Sequence, residues 1–367
     1  MFERRLSSHL DWLLLGAVLV LCGIGVAMIY SITGSAAGSS GSGRLYLTQI
    51  AAIVLGLVAM LTCLMVDYRT LTDKSHLIYL GIVGLLVYVL LFGSSSKGAQ
   101  RWISFGSVNL QPSEFAKLAV ALVLAKLFGE NRRAVPDLRD LVVAGGLVLL
   151  LFALIARQPD LGTAVVLVPI LLGVAFVGGL RLRVLGVILL AALMMTPIAW
   201  RWGLKDYQRA RIATFLDPSQ DPRGSGYQQI QAQITVGSGG LLGKGFTKGT
   251  QGQFRFLPEA QTDFVFSVLA EEQGFAGVLV ALGLYLFVIV RAIDAARLAK
   301  DRLGAYLVIG VLAGFTFQVI YNVTMSAGLA PVKGLPLPFM SYGGSSMIAT
   351  LAGFGLILNV RMRRFTN

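Results

Sequence analysis

The chain has 367 residues, is 56% hydrophobic and 13% charged, and carries a formal net charge of +13. A soluble domain is roughly 25% charged, so a water-soluble globular protein is excluded. The cationic excess does not indicate nucleic-acid binding, because Lys and Arg flank apolar runs and form no single patch; charges so placed set topology beside anionic lipid.

The first apolar run, Trp12 to Ile32, is too long for a signal-peptide core and lacks a clear cleavage site, so it reads as a retained first span. Runs near the ~20 residues that cross a bilayer recur along the chain. Lipid cannot satisfy an open sheet edge, so the expected fold is one all-α polytopic membrane domain over residues 1–367. Ten transmembrane helices are expected, at 11–33, 47–66, 77–93, 112–128, 141–157, 161–180, 184–203, 264–293, 303–327 and 344–361. The eighth is too long for one perpendicular crossing. Gly274 to Ile293 suffices alone, so 263–273 is expected as a separate half-helix or a tilted lead-in. Cys22 and Cys63 fall inside spans as small apolar fillers, and His9 and His76 lie near span ends with no assigned role.

Basic residues orient the spans. One set of short connections holds Arg4, Arg5, Arg132, Arg133, Arg181, Arg183, Arg361, Arg363 and Arg364 among others, while the opposite set holds only Arg44, Lys97, Arg101, Arg157 and Lys333. Both termini are therefore expected in the cytoplasm. The 94–111 segment, Arg157–Asp160, Asp263 and the 328–343 segment then share the outer face, with 204–262 as the one long extracytoplasmic loop, between the seventh and eighth helices. That loop is rich in Gly, Gln and charge, and long loops tend to carry function. A short helix is expected over 227–235. No internal repeat is evident, which weakens a transporter built from inverted halves.

Five stretches could carry chemistry. Arg101-Trp102-Ile103 precedes Gln111-Pro112-Ser113-Glu114-Phe115-Ala116-Lys117. Ser113 could N-cap the fourth span, and Glu114 and Lys117, at i,i+3, can form an ion pair that lowers the burial penalty of each. Arg157-Gln158-Pro159-Asp160 makes a tight turn across which Arg157 and Asp160 could pair. Gly239-Gly240-Leu241-Leu242-Gly243-Lys244-Gly245 fails the P-loop pattern, yet its backbone N–H groups with Lys244 and Lys248 could meet a pyrophosphate. Phe256 to Phe264 closes the long loop and places Asp263 where an apolar run begins. An Asp at a helix centre in lipid costs roughly 2.5–3.5 kcal/mol, and less near the interface. Asp263 is either a helix cap or a functional carboxylate, and Glu259 stands four residues before it. Gly334 to Ser346 is too rich in Pro and Gly for continuous helix, and irregular backbone at membrane depth lines a cavity or is buried in protein.

The strings RWISFG, LQPSEFAK, RQPDLGTA, GSGGLLGKGF, FLPEAQTDFVFSVLAEE and GLPLPFMSYGGSS, in this order over about Trp12 to Arg364, resemble the SEDS family of bacterial shape, elongation, division and sporulation proteins, its elongation branch more than its division branch. The resemblance implies a peptidoglycan glycosyltransferase of the cytoplasmic membrane that polymerises lipid II on the outer face. It further implies a class B penicillin-binding protein as partner within the elongation machinery. The aspartate of the family's TDF motif is here Asp263, expected as general base. Arg101, Lys117, Lys244 and Arg209 are expected near the substrate pyrophosphate, with Glu114, Asp160, Glu259, Tyr342 and Ser346 as further substrate contacts. A divalent cation, magnesium or manganese, held by Glu114 and Asp160 is one option. Two competing readings are a lipid II flippase and a non-catalytic scaffold for the penicillin-binding protein.

Overall fold

The computed structural model describes residues 10–34, 45–96, 99–105, 108–131, 137–198, 201, 206–222, 224–254 and 256–365. His9, Arg4, Arg5, Arg44, Lys97, Arg132 and Arg133 lie outside the described residues. A helix occupies each of the ten expected positions: α1 (Trp12–Gly34), α2 (Leu45–Met65), α4 (Ser75–Phe92), α5 (Pro112–Gly129), α6 (Leu138–Arg157), α7 (Leu161–Val177), α8 (Leu182–Ile198), α12 (Val265–Arg297), α13 (Arg302–Ser326) and α14 (Gly344–Met362). A short helix, α3 (Tyr68–Asp73), joins α2 to α4. Seven of the ten are long and apolar enough to cross a membrane, which makes the chain a polytopic helical membrane protein. The other three are α7 and α8, each of 17 residues, and α5, which carries Glu114, Lys117 and Lys126.

Helices alone do not account for the chain. Three short strands, β1 (Ser94–Ser96), β2 (Ala99–Phe105) and β3 (Val108–Leu110), form an antiparallel sheet in the outer segment between two spans, where no strand was expected. Ser104 pairs with Asn109 and Phe105 with Val108 across β2 and β3. Pairing satisfies the backbone of a segment too polar to continue a span. The long loop also carries helices, α9 (Asp206–Leu216), α10 (Ser225–Ser238) and α11 (Thr250–Gln253).

Small residues let the helices close up, because lipid gives no hydrophobic drive for their association. A Cβ on Gly355 of α14 would lie 2.7 Å from the Met60 carbonyl oxygen of α2, and one on Gly56 would lie 2.4 Å from a Leu351 methyl. At the end of the bundle that holds the basic connections, buried Asp11 binds Arg291 at 2.7 Å and Arg361 at 2.6 Å, and Arg69 binds Asp301 at 2.8 Å. Asn359 caps the end of α2 by donating to the Cys63, Leu64 and Val66 carbonyls.

The long eighth helix breaks where its length required. At Gly274 the backbone turns to φ 65°, ψ −167°, dividing α12 into a short half-helix and a full span. Such a break strands backbone groups that lipid cannot satisfy. The glycine-rich 239–245 loop satisfies them: Lys244 and Gly245 N–H donate to the Glu271 and Glu272 carbonyls at 3.0 and 2.9 Å. The Gly240 and Leu241 carbonyls accept from Phe275 and Ala276 at 2.9 and 3.1 Å. A Cβ on Gly274 would lie 2.2 Å from the Gly243 nitrogen, so only glycine fits this junction.

Candidate active site

The short half-helix of α12 begins at Val265 with Phe264 as N-cap, so Asp263 stands just before it, on the last residue of a turn. Pro258 starts that turn and Glu259 adopts φ 54°, a left-handed conformation unusual for a side-chain-bearing residue. The Glu259 carbonyl accepts from Thr262, Asp263 and Phe264 N–H at 3.1, 3.0 and 3.4 Å. Glu259 and Asp263 are therefore brought to one cavity by a turn, not by a shared helix face.

The 334–343 loop lies against this turn. Tyr342 N–H donates to the Gln261 carbonyl at 2.8 Å. Asn322 on α13 donates to the Asp263 carbonyl at 2.9 Å and to the Leu335 carbonyl at 2.7 Å. Side chains of the spans satisfy the remaining backbone: Gln49 bonds the Ser341 carbonyl and Gly343 N–H, and Tyr285 bonds the Pro338 carbonyl. This is how irregular backbone persists inside a helical bundle. Gly334, at φ 66°, leaves room for the carboxylate: a Cβ there would lie 3.3 Å from Asp263 Oδ2.

A cavity of about 460 Å³ opens between these loops and the starts of α5, α7 and α14. Arg101, Glu114, Asp160, Glu259, Asp263, Tyr342 and Ser346, all named from the sequence, line it together. Asp263 is half-buried in its wall. Arg101 donates to the Gln158 carbonyl at 3.1 Å and to the Pro159 carbonyl, which fixes its guanidinium at the mouth of α7. Asp160 caps α7 through Thr163 N–H and accepts from Gln111 and Ser113 at 2.9 and 3.2 Å. It thereby joins the α7 cap to the start of α5, not to Arg157. Below the cavity Glu114 and Lys117 form the expected ion pair at 2.7 Å, both buried, with Gln318 accepting from the ammonium at 3.0 Å. Glu114 reaches the cavity and Lys117 lies beneath it.

Three sequence expectations are corrected. Lys244 is turned away from the cavity: its ammonium bonds buried Glu271 at 2.6 Å and Thr250 at 3.0 Å, where it locks the 239–251 loop onto the helix break. Arg209 bonds the Arg201 carbonyl at 3.0 Å and is absent from the cavity wall, which Arg211 supplies instead. Residues two apart on a helix point about 200° apart, so only one of the two can face inward. Ser113 does not cap α5; Pro112 takes the first helical position, which suits proline, and Gln111 is the N-cap.

Lys333, Arg211 and Gln228 also line the cavity and were given no site role from the sequence, as do Trp102 and Gln111 from the stretch named for Arg101 and Glu114. Burial, and then the positive charge of Arg211, pull the Lys333 ammonium below the usual lysine pKa.

The residues do not fit a divalent cation. Among the described residues no three His, Cys, Asp or Glu side chains converge. Glu114 is neutralised by Lys117, and Asp160 is committed to Gln111, Ser113 and Thr163.

The profile of a family described as cell cycle protein, FtsW/RodA/SpoVE, matches residues 11–365. The peptidoglycan glycosyltransferase MrdB of Escherichia coli (strain K12) is 39% identical over 356 residues, covering 97% of this chain and 94% of that protein. A chain from a solved peptidoglycan synthase complex, described as coordinating polymerization and crosslinking, superposes with a TM-score of 0.83 at 34% identity, covering 98% of this chain and 99% of that one. The rod shape determining protein RodA of Thermus thermophilus superposes with a TM-score of 0.72 at 32% identity, covering 98% of each chain.

Proposed function

The chain belongs to the FtsW/RodA/SpoVE family, and from that membership we propose that it is a peptidoglycan glycosyltransferase that polymerises lipid II during cell elongation, with Asp263 as its general base. The observation that carries the assignment is the convergence of Asp263 with Glu259, Arg101, Tyr342 and Ser346 on one cavity, built from loops that the spans hold in place.

In this reading all ten long helices cross the cytoplasmic membrane and both termini are cytoplasmic. The basic connections that carry Arg69, Arg361 and Arg363 gather at the end of the bundle opposite the cavity, which supports an extracytoplasmic active site. A class B penicillin-binding protein supplies crosslinking alongside; the match to a chain of a synthase complex that coordinates polymerization and crosslinking supports such a partner.

The chemistry is a single displacement. The acceptor's sugar hydroxyl attacks the anomeric carbon of the donor as Asp263 takes the hydroxyl proton, and the lipid-linked pyrophosphate departs. A positioned base contributes about 10²–10⁴-fold. Asn322 and the turn around Glu259 hold the carboxylate against Gly334, so little reorganisation is needed when the substrate arrives. Glu114, held by Lys117, and Asp160, held by Gln111, shape the far wall. One displacement inverts the anomeric centre. Purified full-length chain given lipid II should therefore yield glycan strands whose new linkage has the opposite configuration to the donor. Head-group translocation in sealed vesicles without polymer would contradict the reading and favour a flippase.

A further inference from the structure

We infer that Lys333 and Arg211 form a dianion subsite that holds the diphosphate of the prenyl-linked sugar donor beside Asp263. The inference rests on the glycosyltransferase reading and names the part of that same cavity which takes the leaving group.

The two cations reach the cavity from different elements, Arg211 from α9 and Lys333 from the connection between α13 and α14. Each other lysine in the interior has an anion: Lys117 has Glu114 and Lys244 has Glu271. Among the described residues no ion pair joins Lys333 or Arg211 to a carboxylate. Lys333 instead stands 5.9 Å from the centre of the Tyr321 ring, whose hydroxyl is fixed by a 2.8 Å bond to the Pro331 carbonyl. A cation on an aromatic face stays charged and keeps its N–H donors free on the other side. Half-buried Lys333 and exposed Arg211 repel across one cavity, and an anion of charge near −2 removes that repulsion.

Position selects the ligand. The residue after Lys333 is Gly334, whose missing Cβ makes room for Asp263 Oδ2. The Lys333 carbonyl packs on Gly162 at the start of α7, where a Cβ would lie 2.8 Å from it. The lysine is therefore anchored through its backbone on one side and stands one residue from the base on the other. A diphosphate there leaves toward Lys333 and Arg211 while the proton of the attacking hydroxyl goes to Asp263. Arg101 is less available, being bonded to the Gln158 and Pro159 carbonyls.

The test uses full-length protein in nanodiscs and farnesyl diphosphate as probe. Lys333→Gln should weaken probe binding by about tenfold or more, since it removes a charge-assisted hydrogen bond to the diphosphate. Lys333→Arg should restore most of it, and Arg211→Gln should weaken it less. Binding of phosphatidylglycerol in the same discs should stay within twofold across the variants. Unchanged probe binding in Lys333→Gln, with unchanged melting temperature, would overturn the subsite. An equal loss for phosphatidylglycerol would also overturn it, by showing a general lipid-phosphate contact. Wild type that binds the probe through Lys333 yet makes no polymer from lipid II would overturn the polymerase reading and leave the subsite standing.

Discussion

Asn322 donates to the backbone carbonyl of Asp263 at 2.9 Å and to that of Leu335 at 2.7 Å, so one buried amide of a membrane span fixes the carboxylate-bearing turn to the loop that faces it. Replacing it by Leu leaves two buried carbonyls without a donor, at about 1–3 kcal/mol each. Asn322→Leu is expected to lower the turnover number strongly while lipid II affinity changes little, because the carboxylate loses its aim and the pocket keeps its walls. Steady-state kinetics that separate kcat from KM check this, with thermal unfolding as the control.

The Glu114–Lys117 pair is buried inside the bundle, and breaking such a pair leaves an uncompensated charge worth about 3–5 kcal/mol. Lys117→Met and Glu114→Gln should each lower the melting temperature markedly. The double variant should recover much of it, because no lone charge remains. A double-mutant cycle from unfolding midpoints gives the coupling directly.

Lys333 has its pKa lowered by burial and by Arg211. Between its folded pKa and the ordinary lysine value the unfolded chain binds more protons than the folded one, so its contribution to stability rises with pH across that window. Binding of a diphosphate needs the ammonium and falls across the same window. Lys333→Arg, which does not titrate there, should flatten both trends. Melting temperature and farnesyl diphosphate affinity followed from neutral to alkaline pH report the two opposite slopes.

Gly274 is the hinge of α12, with Gly243 and Leu241 packed against it. Gly274→Ala must either move the 239–245 loop or straighten the helix, and is expected to cost at least 1–3 kcal/mol, about that of a strained backbone residue. Lys244→Met should act in the same direction by unpinning Glu271. Proteolysis of the 239–251 loop in intact membranes should speed up in both variants.

The helical bundle was legible because lipid imposes length and apolarity, and even the break before Gly274 followed from a run too long for one crossing. The strands at 94–110 were not, because short Ser-rich segments carry no period that separates strand from coil. Asp263 stood out as a carboxylate at an apolar boundary, whereas Lys333 looked like an ordinary topology charge until the fold set it beside Tyr321 and Gly334. Arg209 and Arg211 are two residues apart, and only the phase of α9 decides between them. Lys244 carried a phosphate-loop look, yet the glycines around it serve a broken helix whose geometry no local pattern reveals.

The central claim is that Asp263 takes the proton of the attacking hydroxyl. The direct measurement is polymer formation from purified lipid II by the full chain with its penicillin-binding protein partner, comparing wild type with Asp263→Ala. The account predicts strands from the wild type and a rate lower by about 10²–10⁴-fold from a variant that still folds and binds lipid II. Polymerisation by folded Asp263→Ala at the wild-type rate would contradict it.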